Sequence, residues 1–264
     1  MRPATRLSDV VSPASAGVVA IIPARYSSTR FPGKPLADIG GRPMVEHVYR
    51  RAEAAASIES VVVATDDARV VRAVNDFGGL VQLSKTDHVS GTDRLAEVAE
   101  ALRCELVVNV QVDEPFIDPT AIDAAVASCA ADASVMMSTL RCPLRNAADL
   151  HDPNVVKVAV DRNGYALCFS RAAIGLDRAD SRFPPLRPVD KHIGLYVYRR
   201  PFLLTLAHLD QTPLELAEQL EQMRALEHGH RIMTTATNHD SIGVDTPAEL
   251  EHVRRLVADG VLYE

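Results

Sequence analysis

The sequence predicts an α/β fold, a mostly parallel sheet flanked by helices, with an antiparallel insertion in its second half. Three observations carry the prediction. Short apolar runs alternate with helix-period segments through the first half, the pattern of βαβ units. Capping and turn residues stand between the runs, where such units change direction. A hairpin signal, "DRNGY", falls between two later strand-like runs.

Val18 to Ile22 reads as the first strand, and after a Pro- and Gly-punctuated loop Met44 to Ala56 reads as a helix with Met44, Val48 and Ala52 turned inward. Ser60 to Ala64 is the second strand. Asp66 and Asp67 are placed to cap the next helix, whose Val70, Val71 and Val74 point inward until Gly78 and Gly79 end it. A short strand at Leu80 to Leu83, a helix from Arg94 to Arg103 and a central strand in "ELVVNVQVDEP" follow. Asp118 as cap with Pro119 at the first helical position opens another helix. Strands are then expected near Ser134 to Leu140, Val155 to Val160 and Ala166 to Ser170, with an Arg- and Pro-rich loop at Ala179 to Pro188. "PLELAEQLEQMRALEHG" reads as one strongly periodic helix, with His228 and His230 at its end rather than at a metal. A strand near Arg231 to Thr235 and a helix from Pro247 complete the chain. The expected organisation is a disordered Ala/Ser/Pro-rich tail at 1–17 and one domain at 18–264, with a smaller lobe inserted at about 134–200.

Composition narrows the classes of function. Of 264 residues, 47% are hydrophobic and 24% charged, the balance of a globular protein. With 28 Lys and Arg against 35 Asp and Glu, the net charge of −7 argues against nucleic acid as a partner. Cys104, Cys129, Cys142 and Cys168 form no CxxC pair and read as reduced thiols. No apolar run is long enough to span a bilayer and the first residues lack a signal-peptide core, so a soluble, cytoplasmic protein with no membrane partner is expected.

The densest chemistry lies in "IIPARYSSTRFPGKPL", where a strand ends and Arg25, Arg30 and Lys34 follow among Ser27, Ser28, Thr29 and Gly33. Ligands of open α/β sheets gather beyond the carboxyl ends of the strands. Fixed cations and backbone N–H groups there suit a polyphosphate, the alternative being a solvated basic loop. The loop is not a Walker P-loop, and no GxGxxG is present. Asp113 and Asp245 each follow a strand-like run far apart in the chain, so a parallel sheet can bring both to one edge. Mg²⁺ accepts such a site, although a single Asp after a strand is more commonly a cap or turn former.

That loop resembles the signature of the sugar nucleotidyltransferases, and specifically of the 3-deoxy-manno-octulosonate (Kdo) cytidylyltransferase family. "VVATDDARV", "DHVSGTDRLAEV", "VVNVQVDEP", "DPNVVKVAVD", "GYALCFSRA", "HIGLYVYR", "TPLELAEQLEQMRALEHG" and "GVDTPAEL" also resemble family segments, in family order, from about Val18 to Leu256. The resemblance implies a Rossmann-like, GT-A-like nucleotidyltransferase sheet and transfer of CMP from CTP to Kdo with release of pyrophosphate. It implies Mg²⁺ on Asp113 and Asp245. Arg25, Lys34 and Asp113 are the implied catalytic residues. Nucleotide contacts are implied for Pro23, Ala24, Arg25, Ser28, Arg30, Lys34, Thr65, Asp66, Ser90, Gly91 and Arg94, and acidic-sugar contacts for Gln111, Arg171, His192, Tyr196, Glu221 and Gln222. Alone, His192 reads as a surface or core histidine and Glu221 as a solvated helix face. A homodimer formed through the antiparallel insertion is also implied, and so is service to lipopolysaccharide or related glycans.

Two departures from the family pattern stand out. The family's QGDEP is "QVDEP" here, with Val112 beside Asp113, and "RAAIGLDRADSRFPP" lacks the usual Ile-Pro after Arg171. A valine needing positive φ would be strained, and one facing the sugar would crowd it. Alternatives are therefore a related acceptor (8-amino-Kdo or a sialic-acid-like sugar) and a non-catalytic nucleotide-sensing homologue. A GT-A glycosyltransferase would need a DxD motif after the fourth strand, and none occurs there.

Overall fold

The computed structural model describes residues 17–27, 31–85, 88, 91–174, 189–240 and 242–261. The expected contacts at Ser28, Arg30 and Ser90, the tail before Gly17 and the Ala179 to Pro188 loop lie outside them.

Strand β1 (Val18–Pro23) is an unbroken apolar run because both of its faces are covered. It pairs in parallel with β4 (Ser60–Thr65) and β6 (Leu106–Asn109), and β4 pairs in parallel with β5 (Leu80–Leu83). A two-stranded ribbon of β2 (Asp38–Ile39) and β3 (Arg42–Pro43) lies apart from the main sheet. Beyond β6 the direction reverses. Strand β10 (Asp190–Arg199) runs antiparallel between β6 and β7 (Met137–Pro143), and β11 (Met233–Ala236) pairs in parallel with β7. The hairpin of β8 (Lys157–Val160) and β9 (Ala166–Ser170) joins through β8 to the start of β10. Among the described residues this makes nine strands, with the main order β11-β7-β10-β6-β1-β4-β5.

Period-two alternation along β1 divides the core. Ala20 and Ile22 pack with Val45, Val48 and Ala52 of α1 (Met44–Glu53), Val70 and Val74 of α2 (Ala68–Asp76), and Ile122 and Ala125 of α4 (Pro119–Ala130). Val19 and Ile21 face the other way, onto Leu95, Val98 and Ala99 of α3 (Gly91–Glu100) and Leu203 and Leu206 of α5 (Arg200–Ala207). Each such burial of a Val, Leu or Ile contributes about 1.5–3 kcal/mol. No described helix is long and apolar enough to cross a membrane.

Of the expected caps, Asp67 and Asp118 form, while Asp66 pairs with Arg94 instead. Asp67 accepts from Arg69 N, Asp118 accepts from Thr120 N, and Thr246 with Glu249 makes a capping box on α8 (Pro247–Ala258). Three readings need correction. The helix expected at Arg94 begins at Gly91 instead, because the Glu221 carboxylate, distant in the chain, accepts from Gly91 N and Thr92 N at 3.2 Å each. The single periodic helix is two, α6 (Pro213–Glu218) and α7 (Gln222–Glu227), broken where Gln219 turns left-handed at φ 54°. A buried ion pair, Arg224 Nε to Glu215 Oε2 at 2.8 Å, spans the break and gives each short helix a tertiary anchor. Third, β10 and α5 were not expected at all, although "HIGLYVYR" carries strand-forming residues.

Candidate functional site

At the carboxyl ends of β1 and β4, Ala24 N donates to Ala64 O at 2.8 Å and Thr65 Oγ1 donates to Ala24 O at 2.7 Å. Pro23, Ala24 and Thr65 thereby form a fixed floor. Arg25 follows at once, and its Nη2 is buried without a hydrogen-bond partner among the described residues. A buried donor left unpaired is costly, and an incoming phosphate oxygen would satisfy it.

Asp66, next along, accepts from Arg94 Nη2 at 2.8 Å. Arg94 was expected to contact the nucleotide itself. Its side chain is only 1% exposed, and it donates to Asp66 and to Ser84 Oγ. It therefore lies beneath the loop, holding Asp66 and Ser84. Gly91 opens α3 with its N–H committed to Glu221.

Gly33 sits at φ 77°, donates to Tyr26 O at 2.8 Å and closes the cationic loop. A Cβ there would lie 3.2 Å from the Tyr26 ring in a conformation that disfavours side chains, so glycine is required. The turn delivers Lys34, whose Nζ donates to Asp113 Oδ2 at 2.6 Å and to Asp245 Oδ1 at 3.1 Å. Burial works against the ammonium's charge, but Asp113 and Asp245 outweigh it and hold the lysine pKa above its ordinary value. Asp113 is set by the turn after β6. Its carbonyl accepts from Val244 N at 2.9 Å, tying it to the segment that carries Asp245. The two acids, 132 residues apart by number, thus share one cation.

The donor set fits Mg²⁺. Two carboxylates converge where they already bracket a positive charge, and oxygen is the ligand this ion selects. No group of three or more His, Cys, Asp or Glu among the described residues is placed to hold a metal ion by itself, so the remaining positions would fall to water and substrate oxygens.

Beside the carboxylates opens a cavity of about 420 Å³, lined in part by Gln111, Asp113, Arg171, His192, Tyr196, Gln222 and Asp245. Glu221 lines an adjoining recess of about 200 Å³ that shares Gln111, Tyr196 and Gln222 with the main cavity. Its carboxylate is committed to capping α3, with Thr92 Oγ1 donating at 2.7 Å. That commitment sets it apart from the other five sugar-side residues.

His192 is buried and neutral, its pKa pushed down to about 3 by desolvation. Thr139 Oγ1 donates to Leu195 O at 2.7 Å and lies 2.9 Å from His192 Nε2. We assign the Nε2–H tautomer from this network, which leaves Nδ1 as an acceptor. Tyr196 stays a phenol because burial raises its pKa. Gln222 Nε2 is buried and unpaired among the described residues. Gln111 donates to Asn109 Oδ1 at 3.1 Å. Arg171 donates from Nε to Glu218 O and from Nη1 to Pro153 O, both at 2.9 Å, and retains further N–H groups.

Val112 is 8% exposed and packs into the core, with φ outside the positive region. It neither strains the turn nor crowds the cavity, which corrects the expectation drawn from "QVDEP". Asn154, Lys191, Gly194 and Glu249 also line the cavity and were not anticipated. Gly194 had a signal: it interrupts the strand-like "HIGLYVYR", and it sits at the irregularity in β10 between Ile193 and Tyr196.

A polar cavity and a cationic loop on either side of two carboxylates define a class, the nucleotidyltransferases, in which a nucleotide phosphate meets an acceptor. A family model described as Cytidylyltransferase matches residues 19–232. The 3-deoxy-manno-octulosonate cytidylyltransferase of Geobacter sulfurreducens is 54% identical over 243 residues, covering 89% of this chain and 97% of that protein. The protein of that name from Solibacter usitatus is 50% identical, covering 93% and 96%. A solved CMP:2-keto-3-deoxy-manno-octonic acid synthetase complexed with CTP superposes with a TM-score of 0.86 at 42% identity, covering 92% of this chain and 99% of that one. A cytidylyltransferase from Leptospira borgpetersenii, at 15% identity and a TM-score of 0.61, shares the fold. The chain belongs to the 3-deoxy-manno-octulosonate cytidylyltransferase family.

Proposed function

We propose that this chain transfers CMP from CTP to 3-deoxy-D-manno-octulosonate, giving CMP-Kdo and pyrophosphate. The observation that carries the reading is the meeting of Asp113, Asp245 and Lys34 between the cationic loop and the polar cavity. The acceptor's anomeric hydroxyl oxygen attacks the α-phosphorus in line. The bond from that phosphorus to the bridging oxygen breaks, pyrophosphate leaves, and the hydroxyl proton passes to solvent. Positioning and charge stabilisation dominate such chemistry. His192, neutral and hydrogen-bonded, is an orienting group and not a base.

Asp113 and Asp245 would hold Mg²⁺, which when bound supplies charge neutralisation and lowers the pKa of a coordinated hydroxyl. Lys34, beside Arg25 on the cationic loop, would pair with the phosphates once the acids hold the ion. Arg171 and Gln222 supply donors for the sugar's carboxylate and hydroxyls, and His192 Nδ1 an acceptor. A homodimer, a cytoplasmic location and a role in lipopolysaccharide or related glycan synthesis complete the reading, supported by the family resemblance and, for the location, by four free thiols.

The test is pyrophosphate release from CTP, UTP, ATP and GTP, each with Kdo, 8-amino-Kdo or a sialic acid, with and without Mg²⁺. CTP with Kdo and Mg²⁺ should exceed every other combination at least tenfold. Faster turnover of another acceptor, or none with any, would overturn the assignment.

A further inference from the structure

Lys157 is fully buried, yet it forms no ion pair among the described residues. Its ammonium donates to three backbone carbonyls instead: Asp152 O at 2.9 Å, Val155 O at 2.7 Å and Arg171 O at 2.5 Å. Three N–H donors therefore meet three acceptors, a match that no neutral side chain of similar length provides. Burying a charge is costly even with Asp152 and Glu218 near enough to favour it, and an uncharged side chain such as methionine would fill the space more cheaply. What the ammonium achieves is geometric. The acceptors come from two separate segments, the turn 152–155 and the end of β9, and both line the cavity beside the carboxylates.

Arg171 completes the arrangement. While Lys157 holds its carbonyl, the Arg171 guanidinium donates to Pro153 O and Glu218 O. Three of the four carbonyls in the turn 152–155 thus face one of two cations. We propose that Lys157 is a positioning residue for the acceptor: a buried ammonium that fixes Arg171 and the turn 152–155 in the geometry the sugar acid meets, without touching it.

The proposal rests on the acceptor reading above, and its test separates the two. In Lys157→Gln, the KM for Kdo should rise at least tenfold while the KM for CTP stays within twofold, and Lys157→Arg should recover part of the loss. Pro153→Gly, which loosens the same turn from an exposed position, should raise the Kdo KM alone. Amide exchange at Asn154 and Val155 should quicken in Lys157→Gln, and this readout needs no turnover. Parallel rises in both KM values, or unchanged acceptor KM in folded Lys157→Gln, would overturn the proposal. Should Lys157→Gln not fold, an unchanged acceptor KM in Pro153→Gly would do so. If the wild-type chain does not use Kdo, the acceptor reading falls by itself, and unchanged exchange in Lys157→Gln would then sink the clamp.

Discussion

At the nucleotide end of the cleft, contacts tie together the ends of neighbouring parallel strands: Thr65 Oγ1 to the Ala24 carbonyl, and Arg94 of α3 to Asp66 and Ser84. At the acceptor end, side chains grip main-chain carbonyls from distant segments, as Lys157 and Arg171 do. The first arrangement follows from βαβ topology, which sets consecutive strand ends side by side. The second depends on an antiparallel strand and a broken helix that bring together parts of the chain with no local relation. A nucleotide floor of the first kind suits an invariant ligand, and a wall of the second kind can be reshaped for another acceptor without disturbing the floor.

Lys34 stands on the boundary, and its loss should have the largest effect. Lys34→Ala should lower kcat by about 10³-fold, or about 4 kcal/mol of barrier, by analogy with other lost charge-stabilising donors. The variant should also show a greater thermal shift on adding Mg²⁺ than the wild type, since two carboxylates have lost their cation. Near-normal turnover would remove Lys34 from the chemistry and blur the boundary between the two ends.

Within the nucleotide end, Arg94→Met should cost about 2 kcal/mol in a denaturant titration, because it removes charge-assisted hydrogen bonds to part-buried Asp66 and to Ser84. The CTP KM should rise with it while that of the acceptor does not. A rise in both would mean that the floor and the wall are one unit. Val112→Gly should cost about 2 kcal/mol of stability through lost burial and leave both KM values within twofold. A selective change in acceptor kinetics would show that the turn before Asp113 senses the sugar after all.

At neutral pH the smallest effect belongs to His192 at the acceptor end, whose influence shows only as the solution turns acid. Its folded pKa of about 3 lies below the ordinary histidine value of 6.5, so the unfolded chain takes up the proton first as pH falls. Its contribution is fully present above pH 6.5 and declines between 6.5 and 3, at most by about 1.4 kcal/mol per pH unit. His192→Gln should flatten the acid limb of a stability profile in that window. An unchanged limb would show that His192 does not supply it.

Much of the nucleotide half was legible because its signals are local. The apolar run of β1, the caps at Asp67 and Asp118 and the cationic loop each lie within a few neighbouring residues. Asp113 and Asp245 were legible as candidates, but their meeting at Lys34 is a tertiary fact. The break at Gln219 was hidden because a buried pair between Arg224 and Glu215 overrides a helical period that runs straight through it. The true start of α3 was hidden for a similar reason, its cap being Glu221. Strand β10 went unread although its residues favour a strand, since nothing local tells that it will lie between β6 and β7.

Glu221 also joins the two ends mechanically. One carboxylate holds the first N–H groups of α3, whose Arg94 steadies Asp66, and the same residue borders Gln222 in the acceptor wall. Sliding of α3 along its axis would therefore pull on the kink between α6 and α7, so the Asp66 loop and the polar cavity hang from a common hinge pin.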